Sequence, residues 1–255
     1  MKQKLLKANI TAVGKYLPEN ILTNADLEKV MDTNDEWIRS RTGIHERRIV
    51  KKGQASVEMS LNAIKEILES RQLDPAEIDV IIVATITPDM IFPSCAALIQ
   101  HRLGAKNAWG YDLSAACSGF LFALQSGAAL IESGQYEKVV IVGVDTMSSI
   151  LNYEDRNTSI LFGDGAGAVL LEPSQKYGLI DGIMRVDGSG GDYLKMPGGG
   201  SLNRTTEETV QKKMHFVQQD GKIVYKHAVK GMANVSAEIA SRNNLTNHDI
   251  DLFIP

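Results

Sequence analysis

The apolar positions of this chain switch between helical spacing and short continuous runs. Val57, Leu61, Ile64 and Leu68 recur at spacings of four, three and four, which predicts an amphipathic helix over about 55–70. The run 80–83 is short, continuous and made of Val and Ile, as is typical of a strand buried on both faces. Because such segments alternate along the chain, we predict α/β units around parallel strands.

Polar residues mark where several predicted elements begin and end. Thr33-Asn34-Asp35-Glu36 has the form of a capping box and predicts a short helix over 37–41, which Gly43 ends. Asp74-Pro75 predicts a helical turn before the strand 80–83. We also predict a helix over about 94–103, strands over about 109–113, 139–144 and 166–171, and a long surface loop over 188–200.

The segment that follows Gly119 is apolar on nearly every helical face. We therefore predict a helix that is buried in the middle of the protein. Its apolar residues are Phe120, Leu121, Phe122, Leu124, Ala128, Leu130 and Ile131.

The composition is that of a folded globular chain. Of its 255 residues, 44% are hydrophobic and 23% are charged, which excludes a disordered or fibrous protein. The net charge of −4, without any block of like charges, argues against nucleic acid or an anionic membrane as a partner. We find no signal peptide and no apolar run near the ~20 residues of a membrane span, so we expect a cytoplasmic protein.

A late part of the sequence echoes an earlier one. Residues 245–255 match residues 73–83 at a constant offset of 172 residues, and the preceding helices also correspond, with Val57 against Val229. Either any two helix-turn-strand units look this similar, or the fold is duplicated. A duplication predicts a first half over 1–178 and the start of a second half over 179–255, which is then incomplete.

Cys117 is the leading candidate for a nucleophile. It stands at a predicted strand-to-helix junction, where the small residues of 115–119 permit a tight turn and close approach of a ligand. The positive end of a helix dipole stabilises a thiolate, and free N–H groups there can hold an oxyanion. The alternative is a buried, inert thiol, which we predict for Cys95.

Two other motifs carry no chemistry by themselves. The glycines of 163–168 do not have the GxGxxG spacing of a dinucleotide site, and a strand follows them, so no helix N-terminus is offered to a phosphate. We expect these glycines to let the backbone pack closely beneath a site. His45-Glu46 lacks the second His of HExxH, and we predict no metal site.

Taken together, the motifs resemble those of the β-ketoacyl-acyl-carrier-protein synthase III family. The resemblance follows the family order along the whole chain. Its blocks are 33–37 with 41–44, Phe92-Pro93-Ser94, Ala115-Ala116-Cys117-Ser118-Gly119-Phe120, and Phe162-Gly163-Asp164-Gly165-Ala166-Gly167-Ala168.

The resemblance implies a fold and a reaction. The fold is α/β, a thiolase-like, duplicated αβαβα sandwich whose second half is incomplete in this chain. The reaction starts type II fatty acid synthesis in a homodimer: Cys117 takes the acyl group of acetyl-CoA or another short acyl-CoA, and malonyl on acyl carrier protein loses CO2 and attacks it. No cofactor is implied, because the CoA thioester is a substrate.

The resemblance also assigns binding residues. Thr33, Trp37 and Arg41 match family positions that hold CoA. Arg156 matches the family's arginine on the other side of the CoA adenine. Without the resemblance, Trp37 reads as a core aromatic and the arginines as solvated surface. Phe92 matches the residue that closes the acyl pocket of the other subunit, which suggests a short straight primer.

One departure bears on catalysis. In the family, a catalytic His directly follows the strand that corresponds to 252–255, and a catalytic Asn comes later; neither is present here, so we expect impaired condensation. Two alternatives stay open: a non-catalytic acyl-CoA-binding or partner subunit, and another thiolase-fold enzyme such as a polyketide or HMG-CoA-type synthase.

Overall fold

A computed structural model describes residues 6–254 of the chain as two compact units. The first unit comprises the residues up to Ser149 and the segment Leu161–Ile180. The second unit comprises Ile150–Ile160 and the residues from Asp181 onward. The predicted boundary between 178 and 179 stays a prediction. Among the described residues, none of the helices has the length and hydropathy needed to cross a membrane.

The first unit contains most of the regular structure. Its elements in chain order are β1 (Lys7–Tyr16), β2 (Asn20–Thr23), α1 (Asn24–Leu27), α2 (Asp35–Thr42), β3 (Glu46–Ile49), α3 (Ser56–Arg71), β4 (Val80–Ala84), α4 (Cys95–Leu103), β5 (Trp109–Leu113), α5 (Gly119–Glu132), β6 (Val139–Thr146) and, after the second unit's α6 (Arg156–Ser159), β7 (Asp164–Ser174). The predicted helices over 55–70 and 94–103 and all four predicted strands are thereby confirmed.

Five strands form one mixed sheet in the order β1-β7-β6-β4-β5. β4 is parallel to both β5 and β6, as predicted, but β7 is antiparallel to β6 and to β1. The prediction of parallel strands is confirmed for β4, β5 and β6 and is wrong for β7. The chain between β6 and β7 holds only the 3₁₀ turn Met147–Ile150 and the four-residue α6, so no crossover helix returns it to the same end of the sheet. The sequence also gave no prediction of β1.

Helices cover both faces of this sheet. The stripe predicted on α3 is buried, and α3 and α4 pack with one set of alternate strand residues, among them Ile81 and Val83. The other set, with Val80 and Ile82, packs against α5. β4 is buried along its whole length, as its sequence predicts.

The expectation that α5 is buried on nearly all sides is wrong for one face. Its sheet-facing side is buried through Ala123, Gly127, Ala128 and Ile131, whereas Leu121 is 54% exposed. A helix that lies on one sheet buries one stripe, whatever the hydropathy of the rest of its surface.

The second unit contains α6, β8 (Leu194–Lys195), α7 (Glu207–Gln211), β9 (Gln218–Gln219) and α8 (Gly221–Arg242). β8 pairs with β9, and the predicted loop over 188–200 is exposed over nearly all of its length. Both Arg242 and Asn243, at the end of α8, donate hydrogen bonds to the Asp181 carboxylate.

The echo at an offset of 172 residues is present in the backbone of both units. α3 ends at Gln72 with φ +50°, and the position that corresponds to it after α8 is Asn244 with φ +54°. Asp74 caps the 3₁₀ turn Pro75–Glu77 with a capping box, and Thr246 caps the turn Asn247–Asp249 in the same way. The expected strand over 252–255 is not formed at 252–254, because no other described strand pairs with these exposed residues, and Pro255 lies outside the described residues.

Candidate active site

Cys117 lies on a tight turn between β5 and α5. The chain leaves β5 at Leu113, passes through the 3₁₀ turn Ala116–Ser118 and enters the 14-residue α5 at Gly119. Ala116 has φ +46°, a left-handed conformation that costs a residue with a Cβ roughly 1 kcal/mol or more. The turn holds the Cys117 side chain exposed, so the alternative of a buried thiol is wrong.

A cavity of about 260 Å³ opens beside Cys117. The parallel strands β4, β5 and β6 all end at this edge of the sheet, which is where open α/β sheets bind their ligands. Most of the lining is small or apolar: Ala84, Ala116, Phe120, Gly143, Val144 and Gly165 accompany Cys117 and Asp145. The cavity therefore offers an acyl-sized apolar space at the thiol.

Asp145 is the one carboxylate among the residues that line this cavity. Its Oδ1 accepts hydrogen bonds from Thr85 Oγ1 at 3.0 Å, from Ile86 N at 2.9 Å and from Thr87 Oγ1 at 2.8 Å. It thereby fixes the segment that follows β4. Sequence reasoning missed Asp145, although an acidic residue directly after the β-branched run 139–144 was a signal for this edge of the sheet.

Cys95 is buried at the start of α4, as predicted. Burial raises the pKa of its thiol to about 12, and the nearby Asp112 and Asp89 carboxylates also act in that direction. Cys95 therefore stays protonated and serves packing.

The short helix α2 carries Trp37 and Arg41 one turn apart. The Arg41 guanidinium carbon lies 5.2 Å from the centroid of the Trp37 ring, within the range of a cation–π contact. Trp37 is half-buried and Arg41 is exposed, so the two present an aromatic face and a positive charge at the surface.

The predicted cap of α2 is wrong by one residue. Asn34, and not Thr33, is the N-cap, and its side chain accepts a hydrogen bond from Trp37 N at 2.8 Å. The Thr33 hydroxyl is buried without a partner. Gly43 ends the helix with φ +73°, as predicted.

The remaining predicted site residues lie elsewhere. Phe92 is 82% exposed and does not line the cavity at Cys117. Arg156 is the first residue of α6 in the second unit, and it is exposed.

The glycine-rich segment 163–168 enters the sheet as β7, so the prediction that a strand and not a helix follows these glycines is confirmed. Its glycines differ in purpose. A Cβ at Gly163 would lie 3.0 Å from Arg48 O, Gly165 lines the cavity, and Gly167 faces open space. Residues 6–254 include no group of three or more His, Cys, Asp or Glu side chains that could hold a metal ion.

Comparisons with known proteins agree with one another. The sequence model of the family described as 3-oxoacyl-[acyl-carrier-protein (ACP)] synthase III matches residues 111–188. The protein named β-ketoacyl-[acyl-carrier-protein] synthase III from Koribacter versatilis is 53% identical, over 97% of this chain and 75% of that protein. The protein of the same name from Chlorobaculum tepidum is 55% identical, over 98% of this chain and 77% of that protein.

A solved structure is also similar. The crystal structure of 3-oxoacyl-[acyl-carrier-protein] synthase III from Aquifex aeolicus is 38% identical, with a TM-score of 0.83 over 96% of this chain and 75% of that one. The predicted thiolase-like fold is confirmed by this similarity.

Proposed function

The chain belongs to the β-ketoacyl-[acyl-carrier-protein] synthase III family, and from this premise we propose that Cys117 carries the acyl group in its reaction. The family joins a short acyl-CoA to malonyl-acyl carrier protein and so begins type II fatty acid synthesis. The observation that carries the assignment is the exposed Cys117 thiol on the wall of an apolar cavity.

The proposed reaction has two steps. In the first, the Cys117 thiolate attacks the carbonyl carbon of the acyl-CoA thioester; a bond to Sγ forms, the bond to the CoA sulfur breaks, and CoA leaves. In the second, malonyl on the carrier loses CO2, and its carbanion attacks the acyl-Cys117 carbonyl and expels the thiolate. The product is a β-ketoacyl group on the carrier protein, and no cofactor takes part.

The surroundings of Cys117 suit the first step. Negative charge develops on the carbonyl oxygen during the attack, and the amino end of α5, directly after the turn, supplies a positive dipole end and N–H groups. The small lining residues leave room for the acyl group beside Sγ. We propose acetyl-CoA or another short, straight acyl-CoA as the donor.

Mass spectrometry after incubation with acetyl-CoA tests this role. We expect one acetyl group on the wild-type protein and on Cys95→Ala, and none on Cys117→Ala. The Cys95→Ala variant is the matched control, because it removes the other of the two cysteines. An unmodified wild-type protein, or an adduct that persists in Cys117→Ala, contradicts the assignment and favours a non-catalytic acyl-CoA-binding subunit.

We propose that Trp37 and Arg41 hold the adenine and phosphates of CoA. The cation–π pair on α2 supports this, because an aromatic face and a guanidinium suit a purine and its phosphates. From the family resemblance we also assign Thr33 and Arg156 to CoA binding.

Isothermal titration with CoA tests the adenine site. Trp37→Ala and Arg41→Ala are expected to weaken binding by about tenfold or more. Arg39→Ala is the control, since Arg39 lies on the same helix, is equally charged and pairs with Asp35 instead. Equal losses in Arg39→Ala and Arg41→Ala would point to net charge alone and reject the specific site.

We further propose a homodimer that forms along β5. β5 is an edge strand of the sheet, and the exposed residues Ile91, Phe92, Trp109 and Leu121 supply apolar surface in the same unit. The proposed position of Phe92 in the partner's acyl pocket requires such a dimer.

The two thioester substrates belong to the cytoplasm, which is the location we propose.

Light scattering after size exclusion tests the dimer. Ile91 is 86% exposed, so Ile91→Lys leaves the fold intact and is expected to yield monomers. Val13→Lys is the control, because Val13 is 66% exposed on β1, the opposite edge strand. Monomeric wild-type protein, or dissociation by Val13→Lys alone, overturns the proposed interface.

A further inference from the structure

Asn24 lies at the centre of a buried polar network next to α2. The residue is only 1% exposed, and Arg47, which donates a hydrogen bond from Nη1 to Asn24 Oδ1, is 4% exposed. Buried polar groups of this kind are costly unless each finds a partner. The Asn24 amide does so at both of its atoms.

The amide nitrogen of Asn24 reaches both ends of α2. Nδ2 donates to Asp35 Oδ1 at 2.7 Å, at the first residue of the helix, and to Ile44 O at 2.9 Å, just beyond its last turn. The Asn24 side chain thus forms hydrogen bonds at both the beginning and the end of the helix that carries Trp37 and Arg41.

Polar contacts supplement the apolar packing of α2. Of its eight residues only Ile38 is fully buried, and Trp37 is half-buried, so the orientation of the helix also depends on its polar contacts. Asp35 N donates to Glu28 Oε1 at 2.7 Å, which adds one tie at the amino end. Since both CoA-binding side chains project from this one helix, any rotation of α2 displaces them together.

We propose that Asn24 is a positioning residue for the adenine site: it acts through α2 to hold Trp37 and Arg41 in place and does not touch the substrate. This inference rests on the proposed assignment of Trp37 and Arg41 to CoA binding. A positioning role predicts a loss confined to donors that carry the adenine nucleotide.

The test measures the acylation rate of Cys117 with two acetyl donors. Acetyl-CoA carries the adenine nucleotide, and the acetyl thioester of N-acetylcysteamine lacks it. For Asn24→Ala we expect the KM for acetyl-CoA to rise by about tenfold, because the variant loses one to two hydrogen bonds to charged partners. The acylation rate at saturating acetyl-CoA is expected to stay unchanged. The rate with the short thioester is expected to equal that of the wild-type protein.

A second pair of variants keeps the test decisive if Asn24→Ala does not fold. The Asp35 side chain is 48% exposed, so its substitution is tolerated. Asp35→Ala removes the acceptor for Asn24 and is expected to raise the KM for acetyl-CoA. Asp35→Asn keeps an Oδ1 acceptor and is expected to show the KM of the wild-type protein. Thr23→Ala is the control, because it removes the cap of α1 beside Asn24 and leaves the ties to α2 intact.

The outcomes separate the two proposals. If Asn24→Ala or Asp35→Ala slows both donors equally, the network only supports the fold and the positioning role is overturned. If Trp37→Ala leaves the KM for acetyl-CoA unchanged, the adenine site itself is rejected. In the double variant Asn24→Ala/Trp37→Ala, we expect the further increase in KM to be smaller than the increase that Asn24→Ala causes alone, because only Arg41 is then left for Asn24 to position.

Discussion

The Asp112 carboxylate caps the helix that begins with Cys95: its Oδ2 accepts a hydrogen bond from Cys95 N at 2.7 Å, and its Oδ1 accepts one from Ala96 N at 2.8 Å. This strand residue therefore satisfies the first N–H groups of α4 and holds a negative charge close to the Cys95 thiol. The two cysteines of the chain consequently lie in opposite surroundings, one buried beside a carboxylate and one exposed at a turn.

We predict that iodoacetamide alkylates the native protein at Cys117 only. The Cys95 thiol is 1% exposed and has a pKa of about 12, so near pH 8 it offers neither access nor thiolate. Peptide mapping by mass spectrometry locates the label, and the same reaction in urea supplies the control, in which both cysteines react. Alkylation of Cys95 in the folded protein at a rate similar to that of Cys117 would contradict the structure.

Cys95 also predicts a loss of stability at alkaline pH. Its folded-state pKa of about 12 exceeds the ordinary value of 9.0, so between these values the unfolded chain releases a proton that the folded chain keeps. The free energy of unfolding then falls as pH rises above about 9, by up to about 1.4 kcal/mol per pH unit.

The comparison with Cys95→Ala isolates this contribution. The variant loses packing by an amount that does not depend on pH, so the stability difference between wild type and variant is expected to shrink as pH rises from 9 to 10.5. Urea unfolding at several pH values measures it. A constant difference over that range would show that the thiol does not resist ionisation in the folded state.

The sequence predicted the elements whose residues repeat with a clear period or form a continuous apolar run. α3 and β4 were placed to within a residue or two, since burial on one stripe or on both faces dictates their composition. The echo around Gln72 and Asn244 was also readable, because it depends on local turn residues. β1 was not, because only Ala8 and Gly14 of its ten residues are buried and no alternation marks it.

The site was predictable only in part, for a physical reason. Cys117 stands out in the sequence because its neighbours are small. Asn24 and Asp145 act through partners 11 to 60 residues away, such as Asp35 and Thr85, and no local pattern encodes such contacts. The antiparallel direction of β7 likewise follows from the short connection between β6 and β7, and the hydrophobic pattern does not indicate strand direction.

Two glycines of the 163–168 segment are predicted to differ in their tolerance to alanine. At Gly163 a Cβ would lie 3.0 Å from Arg48 O and 3.1 Å from Arg47 Cβ, so the backbone must shift, at a cost of about 1–3 kcal/mol. At Gly167 no atom lies within 4 Å of the added Cβ, and we expect a change within about 0.5 kcal/mol. Urea unfolding of both variants provides the measurement, and equal losses would refute the proposed close approach at Gly163.

Asp145 is predicted to stabilise the protein and to keep the cavity in shape. The Thr85 and Thr87 side chains, which donate to Asp145 Oδ1, are buried, as is Thr146, whose N–H donates to Thr87 Oγ1 at 2.7 Å. Asp145→Ala leaves the Thr85 and Thr87 hydroxyls and the Ile86 N–H without their acceptor, and we expect a loss of about 2–4 kcal/mol in the free energy of unfolding.

The isosteric variant Asp145→Asn separates geometry from charge. It keeps an Oδ1 acceptor and replaces Oδ2 with an uncharged NH2 group, so we expect a loss of about 1 kcal/mol. Because Ala84, directly before Thr85, lines the cavity, Asp145→Ala should also slow acetylation of Cys117, whereas Asp145→Asn should largely preserve it. Urea unfolding and the rate of acetyl transfer from acetyl-CoA are measured on the same samples. If both variants lose the same stability, the charge and not the acceptor position holds the segment. If Asp145→Ala acetylates at the wild-type rate, the segment after β4 does not shape the site.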